Sequence, residues 1–325
     1  MLETFYSVRR IFFLIIAVIG VPVNLVAIVI LSRRKCGLSS CTTRYLVAMA
    51  TADLLAVTFD VVLWRVSYYY FPGTFLDITP VCSATSALGL AGTESSVWFT
   101  VTFTFDRFVA ICCQKRKSTY CTGKIAAVVL TSTGVLLCFK NVPHFFRYRP
   151  VKVVGNIPWD CIRRPGYYTD PGWLGYRMFS TVLTPLLPFI LIPLLNALTV
   201  RHILVTSRVR KGLRGQNKEK NGSDPEMESR RRSVILLLTI SGNFIILWSV
   251  NVTEYLYNSS AGLDQNNYND AEYIVEQSGY MLMILSCCTN TFIYGVTQSK
   301  FREQFISAAK YPLTSIIQLV NKQNI

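Results

Sequence analysis

The sequence predicts an all-α membrane protein, folded as a seven-transmembrane helix bundle. Of its 325 residues, 51% are hydrophobic and only 16% are charged, whereas an average soluble domain has about 25% charged residues. This composition excludes a disordered chain and disfavours an ordinary soluble enzyme. Seven apolar stretches reach about 20 residues, the length of helix that crosses a bilayer core. The predicted spans are 11–31, 45–64, 82–112, 125–145, 174–200, 233–255 and 273–296.

The segments around the spans define the predicted domain organisation. Residues 1–10 are expected to form a short extracellular N-terminus, and residues 11–296 the seven-transmembrane domain. Within that domain, 146–173 is the long outer loop and 201–233 is the third inner loop, and 297–325 follow as the cytoplasmic tail. Because no signal-peptide cleavage site precedes the first span, we expect that span to act as an uncleaved signal.

The distribution of basic residues predicts the orientation of the bundle. The formal net charge is +15, with 33 Lys and Arg, but a nucleic-acid-binding domain would be less apolar, so no nucleic-acid partner is expected. Of these 33 residues, 22 fall on the side of the 32–45, 113–124 and 201–233 loops and the C-terminal tail. The positive-inside rule then places the C-terminus in the cytoplasm and the N-terminus outside, with anionic membrane lipids against the basic face.

Three side chains are predicted at the outer face. Of the ten Cys, only Cys82 and Cys161 fall on this oxidising side. Joined, they would pin the long outer loop onto the third helix; unjoined, they would be two free thiols. Asn258 begins an Asn-Ser-Ser sequon in the predicted last outer loop, which makes it a glycosylation candidate.

Polar side chains inside the spans are functional candidates, because their burial in a bilayer is costly. Asp53 lies in the middle of the second span, and Asn24, Ser96 and Asn290 lie at similar depth in the first, third and seventh. Their oxygens could surround a hydrated cation such as Na⁺, or they could be a structural cluster that joins helices. Glu94, in the third span, could contact a cationic ligand group or donate and accept hydrogen bonds with a neighbouring helix.

The inner end of the third span carries the adjacent pair Asp106 and Arg107. These are ordinary interface residues or a latch, in which an acid holds the Arg in one state and releases it in another. Phe244 and Trp248, one turn apart on the sixth span, are by default a packed interhelix pair. The chain has no Gly-rich phosphate loop and no metal-site Cys spacing, so no enzyme activity and no cofactor other than Na⁺ is expected.

Several of these positions fall in the order and spacing of the rhodopsin-like (class A) G-protein-coupled receptors, which the chain resembles over nearly its whole length. Cys82 lies 25 residues before Arg107, the spacing of the family's disulfide Cys. The segment 290–294 resembles the family's Asn-Pro-x-x-Tyr motif. The other matching residues are Asn24, Asp53, the Asp106-Arg107-Phe108 triplet, Phe244 and Trp248.

The resemblance implies roles for these residues. It implies a Cys82–Cys161 disulfide and a short amphipathic eighth helix that begins near Lys300. It also implies a receptor of the plasma membrane that passes the signal of an extracellular agonist to a heterotrimeric G protein. The implied activation switch is Asp106, Arg107, Phe244, Trp248, Asn290 and Tyr294. The implied polar core, with an allosteric Na⁺, is Asn24, Asp53, Ser96 and Asn290.

The chain departs from the family pattern at several positions. Phe108 replaces Tyr, and Val250 and Thr291 stand where the sixth and seventh helices usually carry Pro. Arg230 occupies the place of an acid that locks the third-helix Arg in some members. Because Arg230 cannot hold Arg107, we expect the inactive state to depend on Asp106 and packing, and the receptor to show measurable basal signalling.

The segments 29–49 and 292–298 are similar to a small group of orphan brain receptors, described as responding to tryptophan and phenylalanine and as coupling mainly to the Gq class. In this interpretation Glu94 takes the ammonium group, Trp248 packs the aromatic ring, and Arg177 is the nearest candidate for the carboxylate. Gly89 in place of an Asp disfavours a monoamine ligand. The implied ligand pocket is Glu94, Trp248, Asn251, Thr181, Tyr280 and Arg177.

Two alternatives remain open at the level of sequence. A neuropeptide receptor of the same class would use the basic outer loop to attract an acidic peptide, although a solvated loop would look the same. A seven-span transporter or channel would show repeat symmetry or broken helices around a midplane site, which the sequence does not show. The basic residues of this loop are Arg147, Arg149, Lys152, Arg163 and Arg164.

Overall fold

Seven long helices form the structure, a computed structural model that describes residues 2–33, 36–214, 225–261 and 268–307. We number them α1 to α7 in chain order, and an eighth helix, α8, runs from 299 through 307, where the described part ends. The predicted seven-helix bundle with an additional short helix is confirmed. The α-helical segments are Leu2–Ser32 (α1), Ser40–Ala56 (α2), Thr79–Cys112 (α3), Gly123–Lys140 (α4), Pro171–Thr181 (α5), Pro225–Ala261 (α6) and Asp270–Thr297 (α7). For α2 and α5 these are the first segments, and both helices continue beyond them.

Two of the helices depart from regular α-helix in ways that the sequence did not predict. α2 continues as a π-helix over Val57–Val66 and returns to α-helix over Ser67–Tyr70; such wide turns are rare and often lie at functional sites. α5 is kinked over Val182–Leu186, where Thr184 has extended backbone angles (φ −147°, ψ 114°), and continues as Leu187–Arg214. Shorter helices connect the long ones over Phe75–Asp77, Gln114–Tyr120, Val142–Phe145 and Pro165–Tyr167.

Helix α3 occupies the centre of the bundle, where it packs against α2, α4, α5, α6 and α7. Among the described residues, six helices are long and apolar enough to cross a membrane on their own, and α3 is the long helix outside that set. Its 34 residues include 22 that are buried, many of them Ser, Thr and Gly. Because other helices surround α3, its side chains face protein rather than lipid, and small polar residues are suitable there.

Small residues let α2 and α3 approach closely. A Cβ atom added to Gly92 would lie 2.8 Å from the backbone nitrogen of Ala56, and one added to Gly89 would lie 2.8 Å from Cβ of Asp60. Both distances are too short for non-bonded atoms, so any larger side chain would push the helices apart. This contact holds the polar residues of α2 and α3 within hydrogen-bonding distance.

Several helices extend beyond the predicted membrane spans. α1 begins at Leu2, so the segment 2–10, predicted as an extracellular tail, continues the first helix. α5 continues to Arg214 and α6 begins at Pro225, which makes most of the predicted inner loop 201–233 helical. Basic residues with long apolar stems allow a helix to continue beyond the bilayer. The length of the apolar stretch therefore underestimates the length of the helix. Within these predicted segments, 215–224 and 308–325 lie outside the described residues.

The outer loop after α4 folds into two short antiparallel ribbons. Strands β1 (Tyr148–Arg149) and β4 (Ile162–Arg163) pair, and between them β2 (Lys152–Val154) pairs with β3 (Ile157–Trp159). The tip has two consecutive residues with positive φ, Gly155 at 56° and Asn156 at 63°. This is the backbone of a tight hairpin turn, which Gly and Asn adopt readily. The ribbon therefore forms from the loop's own sequence.

A disulfide fastens this ribbon to the bundle. Cys82, in the first turns of α3, is bonded to Cys161, directly before β4, with their Cα atoms 6.6 Å apart. Thr79 Oγ1 donates a hydrogen bond of 2.7 Å to the carbonyl of Asp160 beside the bridge. The predicted disulfide is confirmed. We call the end of the bundle that carries it the outer end, and the opposite end the inner end.

Candidate functional site

The outer end of the bundle contains a cavity of about 570 Å³ beneath the ribbon. This volume lies in the range of small-molecule sites. Helices α3, α5 and α6 and the loop after α4 all contribute to its wall. Its lining residues are Leu90, Glu94, His144, Arg147, Arg163, Tyr167, Tyr168, Leu174, Tyr176, Arg177, Met178, Ser180, Thr181, Thr184, Glu254, Tyr255, Asn258 and Tyr268.

Three arginines give this cavity a cationic wall. Arg147 donates to Ser86 Oγ at 3.2 Å and also to the hydroxyl of Tyr148. Desolvation by the surrounding groups, and then the nearby charge of Arg147, lower the pKa of the Arg163 guanidinium, while the nearby Glu276 carboxylate acts in the opposite direction. Since like charges raise each other's energy, a bound anion would stabilise both guanidinium groups. The sequence identified both residues only as parts of a basic loop.

Arg177 has the guanidinium group with the fewest polar partners in this wall. It lies over the rings of Tyr167 and Tyr168, 5.5 and 4.6 Å from their centroids. Within the described ranges these ring contacts are its only partners, with neither a hydrogen bond nor an ion pair. Its hydrogen-bond donors are therefore available to a ligand, and a planar guanidinium can donate two parallel hydrogen bonds to one carboxylate.

Glu94 lies in the same wall, but its carboxylate already has protein partners. Lys140 Nζ lies 2.5 Å from one oxygen, and Asn141 Nδ2 donates to the other at 2.6 Å. The side chains of Lys140 and Glu94 are 8% and 4% exposed. The pair thus carries no net charge towards the cavity.

The other predicted pocket residues lie at different depths. Thr181 lines the cavity beside Arg177. Trp248 lies deeper, where its Nε1 donates to Ser286 Oγ at 3.2 Å and its ring centroid lies 5.3 Å from that of Phe244. Tyr280 lies on the α1 side of the bundle, with its ring 6.1 Å from Phe13 and 4.0 Å from the Arg65 guanidinium.

Two polar residues of α6, Asn251 and Asn258, do not lie where the sequence analysis placed them. Asn251 is half-buried, and its backbone packs against Gly279 of α7. Asn258 was predicted in an exposed loop, and this was wrong, because α6 continues past it to Ala261. Its side chain is 8% exposed and lines the cavity, with its amide donating to Glu254 and to the Tyr268 hydroxyl.

A polar cluster at mid-depth joins four helices. Asp53 is fully buried, and it accepts hydrogen bonds from Ser96 Oγ at 2.5 Å and from Asn290 Nδ2 at 2.9 Å. Asn24 Nδ2 donates to the carbonyl of Cys287 at 2.9 Å, which ties α1 to α7. The structure therefore joins Asp53, Ser96 and Asn290 directly, and Asn24 bonds to α7 beside them at Cys287.

Thr291, which stands where the family usually has Pro, also takes part in this cluster. Its hydroxyl donates to Asn24 Oδ1 at 3.3 Å, and its side chain is buried. A Pro at this position would have no hydroxyl to donate. The departure therefore adds a direct bond between α1 and α7 that the sequence did not predict.

The inner end of α3 holds Arg107 in a closed arrangement. Its Nε donates to Asp106 Oδ2 at 3.0 Å, and its Nη2 pairs with the same oxygen. The other oxygen, Asp106 Oδ1, accepts from Cys41 Sγ at 3.1 Å. Arg107 Nη1 also donates to Ser233 Oγ on α6 at 3.4 Å. Asp106 thus positions Arg107 as expected, while the contacts of Cys41 and Ser233 were not foreseen.

A second cavity, of about 360 Å³, opens beside Arg107 at the inner end. It lies between α2, α3, α6 and the start of α8. Tyr294 is fully buried next to it, with its ring 5.9 Å from that of Phe301 of α8. The cavity is lined by Cys36, Gly37, Leu38, Ser39, Thr42, Arg107, Arg232, Ser233, Leu236, Gln298, Ser299 and Lys300. Its basic residues suit an acidic or anionic partner surface.

Sequence comparison identifies the class to which this architecture belongs. Residues 23–294, which are most of the chain, match the family described as "7 transmembrane receptor (rhodopsin family)". The chain therefore belongs to the rhodopsin family of seven-transmembrane receptors, a non-enzymatic class of multi-pass membrane proteins. The resemblance inferred from the sequence motifs is thus confirmed at the level of this family.

Two relatives show the breadth of the similarity. The FMRFamide receptor of Drosophila melanogaster is 22% identical over 306 residues, which cover 90% of this chain and 52% of that receptor. The C-C chemokine receptor type 1 of Macaca fascicularis is 23% identical over 300 residues, which cover 89% of this chain and 76% of that receptor. The chain spans about half the length of the first relative.

Proposed function

We propose that the agonist of this receptor presents an anionic group to the outer cavity. The observation that supports the proposal is the convergence of Arg147, Arg163 and Arg177 on one cavity wall, while the charge of Glu94 is matched by Lys140. Paired guanidinium groups bind carboxylates through strong, charge-assisted hydrogen bonds. Tyrosine rings between them provide surfaces for an aromatic group.

An aromatic amino acid such as tryptophan or phenylalanine is the first ligand candidate. The arginines provide the carboxylate site for which the sequence offered only Arg177, and the tyrosines provide apolar contacts. For the ammonium group, Glu254 is the candidate, since its carboxylate lies in the wall while that of Glu94 is paired with Lys140. The cavity volume of about 570 Å³ accommodates a molecule of this size.

A peptide with acidic and aromatic side chains is the second candidate. Both relatives described above are named as receptors for a peptide or a chemokine. The ribbon over the cavity adds exposed basic residues, including Arg149 and Lys152, which would attract an acidic peptide by charge. A screen of amino acids against acidic aromatic peptides, recorded through reporters for each G-protein class, separates the two candidates.

The signalling mechanism that we propose is a shift between two states of the bundle. An agonist that binds better to one state raises its population. In that state α6 moves outward, the Arg107–Ser233 contact breaks, and the inner cavity opens to a heterotrimeric G protein, with the Gq class favoured by sequence resemblance. We place the receptor in the plasma membrane, with the outer cavity facing the extracellular side.

Arg177 provides the first test of the ligand site. Replacing it with alanine is expected to raise the agonist concentration for half-maximal response by about 10-fold or more, because a hydrogen bond to a charged group contributes about 1.5–3 kcal/mol. The measurement is a concentration–response curve for the best anionic agonist of the screen. Arg149→Ala, at an exposed basic residue of the ribbon, is the matched control. Equal shifts in both variants would contradict a specific Arg177 contact.

Ser233 tests the closed arrangement of the inner end. Ser233→Ala removes the hydrogen bond from Arg107 to α6, and a bond of this kind contributes about 0.5–1.5 kcal/mol. We expect agonist-independent G-protein activation to rise about two-fold or more. Ser249→Ala on the same helix, whose hydroxyl donates to the Ile246 carbonyl one turn away, is expected to have no effect. Unchanged basal activity in Ser233→Ala at equal surface density would argue against the contact.

We also propose that Na⁺ binds beside Asp53 and favours the inactive state. The carboxylate has hydroxyl and amide neighbours in Ser96 and Asn290, and both residues line a small cavity that Thr93 and Ser286 also border. The carboxylate of Asp53 and the hydroxyl groups of Ser96, Thr93 and Ser286 are oxygen ligands of the kind that hard cations prefer.

The sodium proposal predicts a salt effect of a specific kind. Replacing choline chloride with NaCl at constant ionic strength is expected to lower basal nucleotide exchange by the wild-type receptor. Asp53→Asn, which removes the charge and keeps the shape, should make exchange independent of Na⁺, while KCl should have no effect on either protein. A sodium response that survives in Asp53→Asn would place the ion elsewhere.

A further inference from the structure

Glu94 and Lys140 form a buried ion pair in the wall of the outer cavity. Lys140 is the last residue of α4, and its ammonium group reaches across to α3. The Glu94 carboxylate is held on both sides, by Lys140 and by Asn141 Nδ2. The two residues are 46 positions apart in the sequence, so no local sequence pattern predicts the ion pair.

Lys140 is fixed in this position by Tyr176 of α5. The Lys140 ammonium lies 5.7 Å from the centroid of the Tyr176 ring, and the Tyr176 hydroxyl donates to the Lys140 carbonyl at 3.3 Å. A cation over an aromatic face is attracted to the ring. The ammonium group therefore stays between the carboxylate and the ring, and Tyr176 covers it on the cavity side.

The charges around the cavity give this pair its significance. In the described part of the wall, the carboxylates are Glu94 and Glu254, and the guanidinium groups are Arg147, Arg163 and Arg177. With Glu94 neutralised by Lys140, cationic groups dominate. Without Lys140, the Glu94 carboxylate would be buried and uncompensated, with the Asn141 amide as its remaining partner among the described residues. A ligand amine would then be its natural counter-ion.

We propose that Lys140 is a specificity-determining residue: by neutralising Glu94, it makes the outer cavity accept ligands with an anionic group and reject ligands whose only charged group is an amine. The inference rests on the proposed anionic-ligand function and deepens it, since it assigns the charge selectivity of the cavity to one residue that lies behind its wall. In this account Glu94 does not bind a ligand ammonium in the wild-type receptor.

The test uses two probes that share an indole ring and differ in charge, indole-3-propionate and tryptamine. Binding is measured as thermal stabilisation of the purified full-length receptor over a range of probe concentrations. The wild-type receptor is expected to be stabilised by indole-3-propionate and not by tryptamine. Lys140→Met is expected to bind tryptamine at least 10-fold more tightly than the wild type does, and to bind indole-3-propionate at least 10-fold more weakly.

Matched variants separate charge from packing. Lys140→Arg keeps the charge and is expected to behave as the wild type. The double variant Glu94→Gln/Lys140→Met leaves no unpaired charge, so it should show no gain of tryptamine binding. If Lys140→Met does not yield a folded receptor, Glu94→Gln takes its place. That variant frees the Lys140 ammonium, so it should bind indole-3-propionate more tightly than the wild type and should not bind tryptamine.

Specific results would overturn the proposal. It is wrong if folded Lys140→Met keeps the wild-type preference between the probes, or if its tryptamine binding persists in the double variant. It is also wrong if Glu94→Gln weakens indole-3-propionate binding. Failure of the anionic-ligand function gives a different pattern, in which the wild-type receptor binds no acid while the Glu94-dependent gain of tryptamine binding in Lys140→Met still appears.

Discussion

Replacing Cys82 with serine is expected to remove most of the folded receptor from the cell surface. The Cys82–Cys161 bond closes a segment of 79 residues that includes α4 and the ribbon. In the chain-entropy description, a loop of this length contributes about 4 kcal/mol to stability, a large share of the about 5–15 kcal/mol of a typical domain. Surface biotinylation, compared with total receptor, measures the loss.

The ribbon makes the effect of this substitution functional as well as structural. Arg147 and Arg163 reach the cavity from this loop, so a detached ribbon would take two of the three guanidinium groups away from the ligand. Cys82→Ser/Cys161→Ser should match the single variant, because both lack the same bond. Cys138→Ser, at an exposed free thiol of α4, should be silent. Wild-type surface density and agonist potency in Cys82→Ser would show that the bond is dispensable.

Replacing Arg107 with alanine is expected to abolish G-protein activation, with and without agonist. Arg107 borders the inner cavity, and its guanidinium is held by Asp106 in the closed arrangement. In the proposed active state this group turns to the G protein, so its loss removes the contact. Asp106→Asn should have the opposite effect, because it weakens the hold on Arg107 and raises basal activity.

Guanine-nucleotide exchange in membranes that contain equal amounts of folded receptor measures both variants. Arg116→Ala, at an exposed residue of the short inner helix Gln114–Tyr120, is the control for loss of positive charge at this face. Two results would argue against the role of Arg107 as the coupling residue. One is wild-type exchange in Arg107→Ala, and the other is an equal loss in Arg116→Ala.

Much of the fold could be predicted from the sequence, because its physical causes are local. The bilayer requires long apolar helices, so six of the seven long helices of the described residues can be recognised from apolar consecutive residues. Intramembrane polar residues are rare, so Asp53 and its partners could be identified individually. The ends of α1, α5 and α6 could not be placed, because basic and polar residues permit a helix to continue into water.

The contacts of the outer cavity could not be predicted, because they join distant parts of the chain. The sequence left Glu94 open between a ligand contact and a hydrogen bond to a neighbouring helix, since nothing in its neighbourhood shows that Lys140 reaches it. Arg147 and Arg163 looked like residues of a solvated loop, since the ribbon and its disulfide bring them over the bundle. Asn258 was assigned to a loop because it follows the predicted end of the sixth span at residue 255, whereas α6 extends beyond it.

Agonist-independent nucleotide exchange on purified heterotrimeric G proteins, catalysed by the wild-type receptor in lipid vesicles, tests the central claim most directly. The closed state depends on Asp106 and on one bond to Ser233, so a measurable fraction of open receptor is expected without ligand. We predict faster exchange than with Arg107→Ala vesicles on at least one G-protein class, with Gq first. Exchange equal to that of Arg107→Ala on every class, with equal amounts of folded receptor in both preparations, would contradict the account.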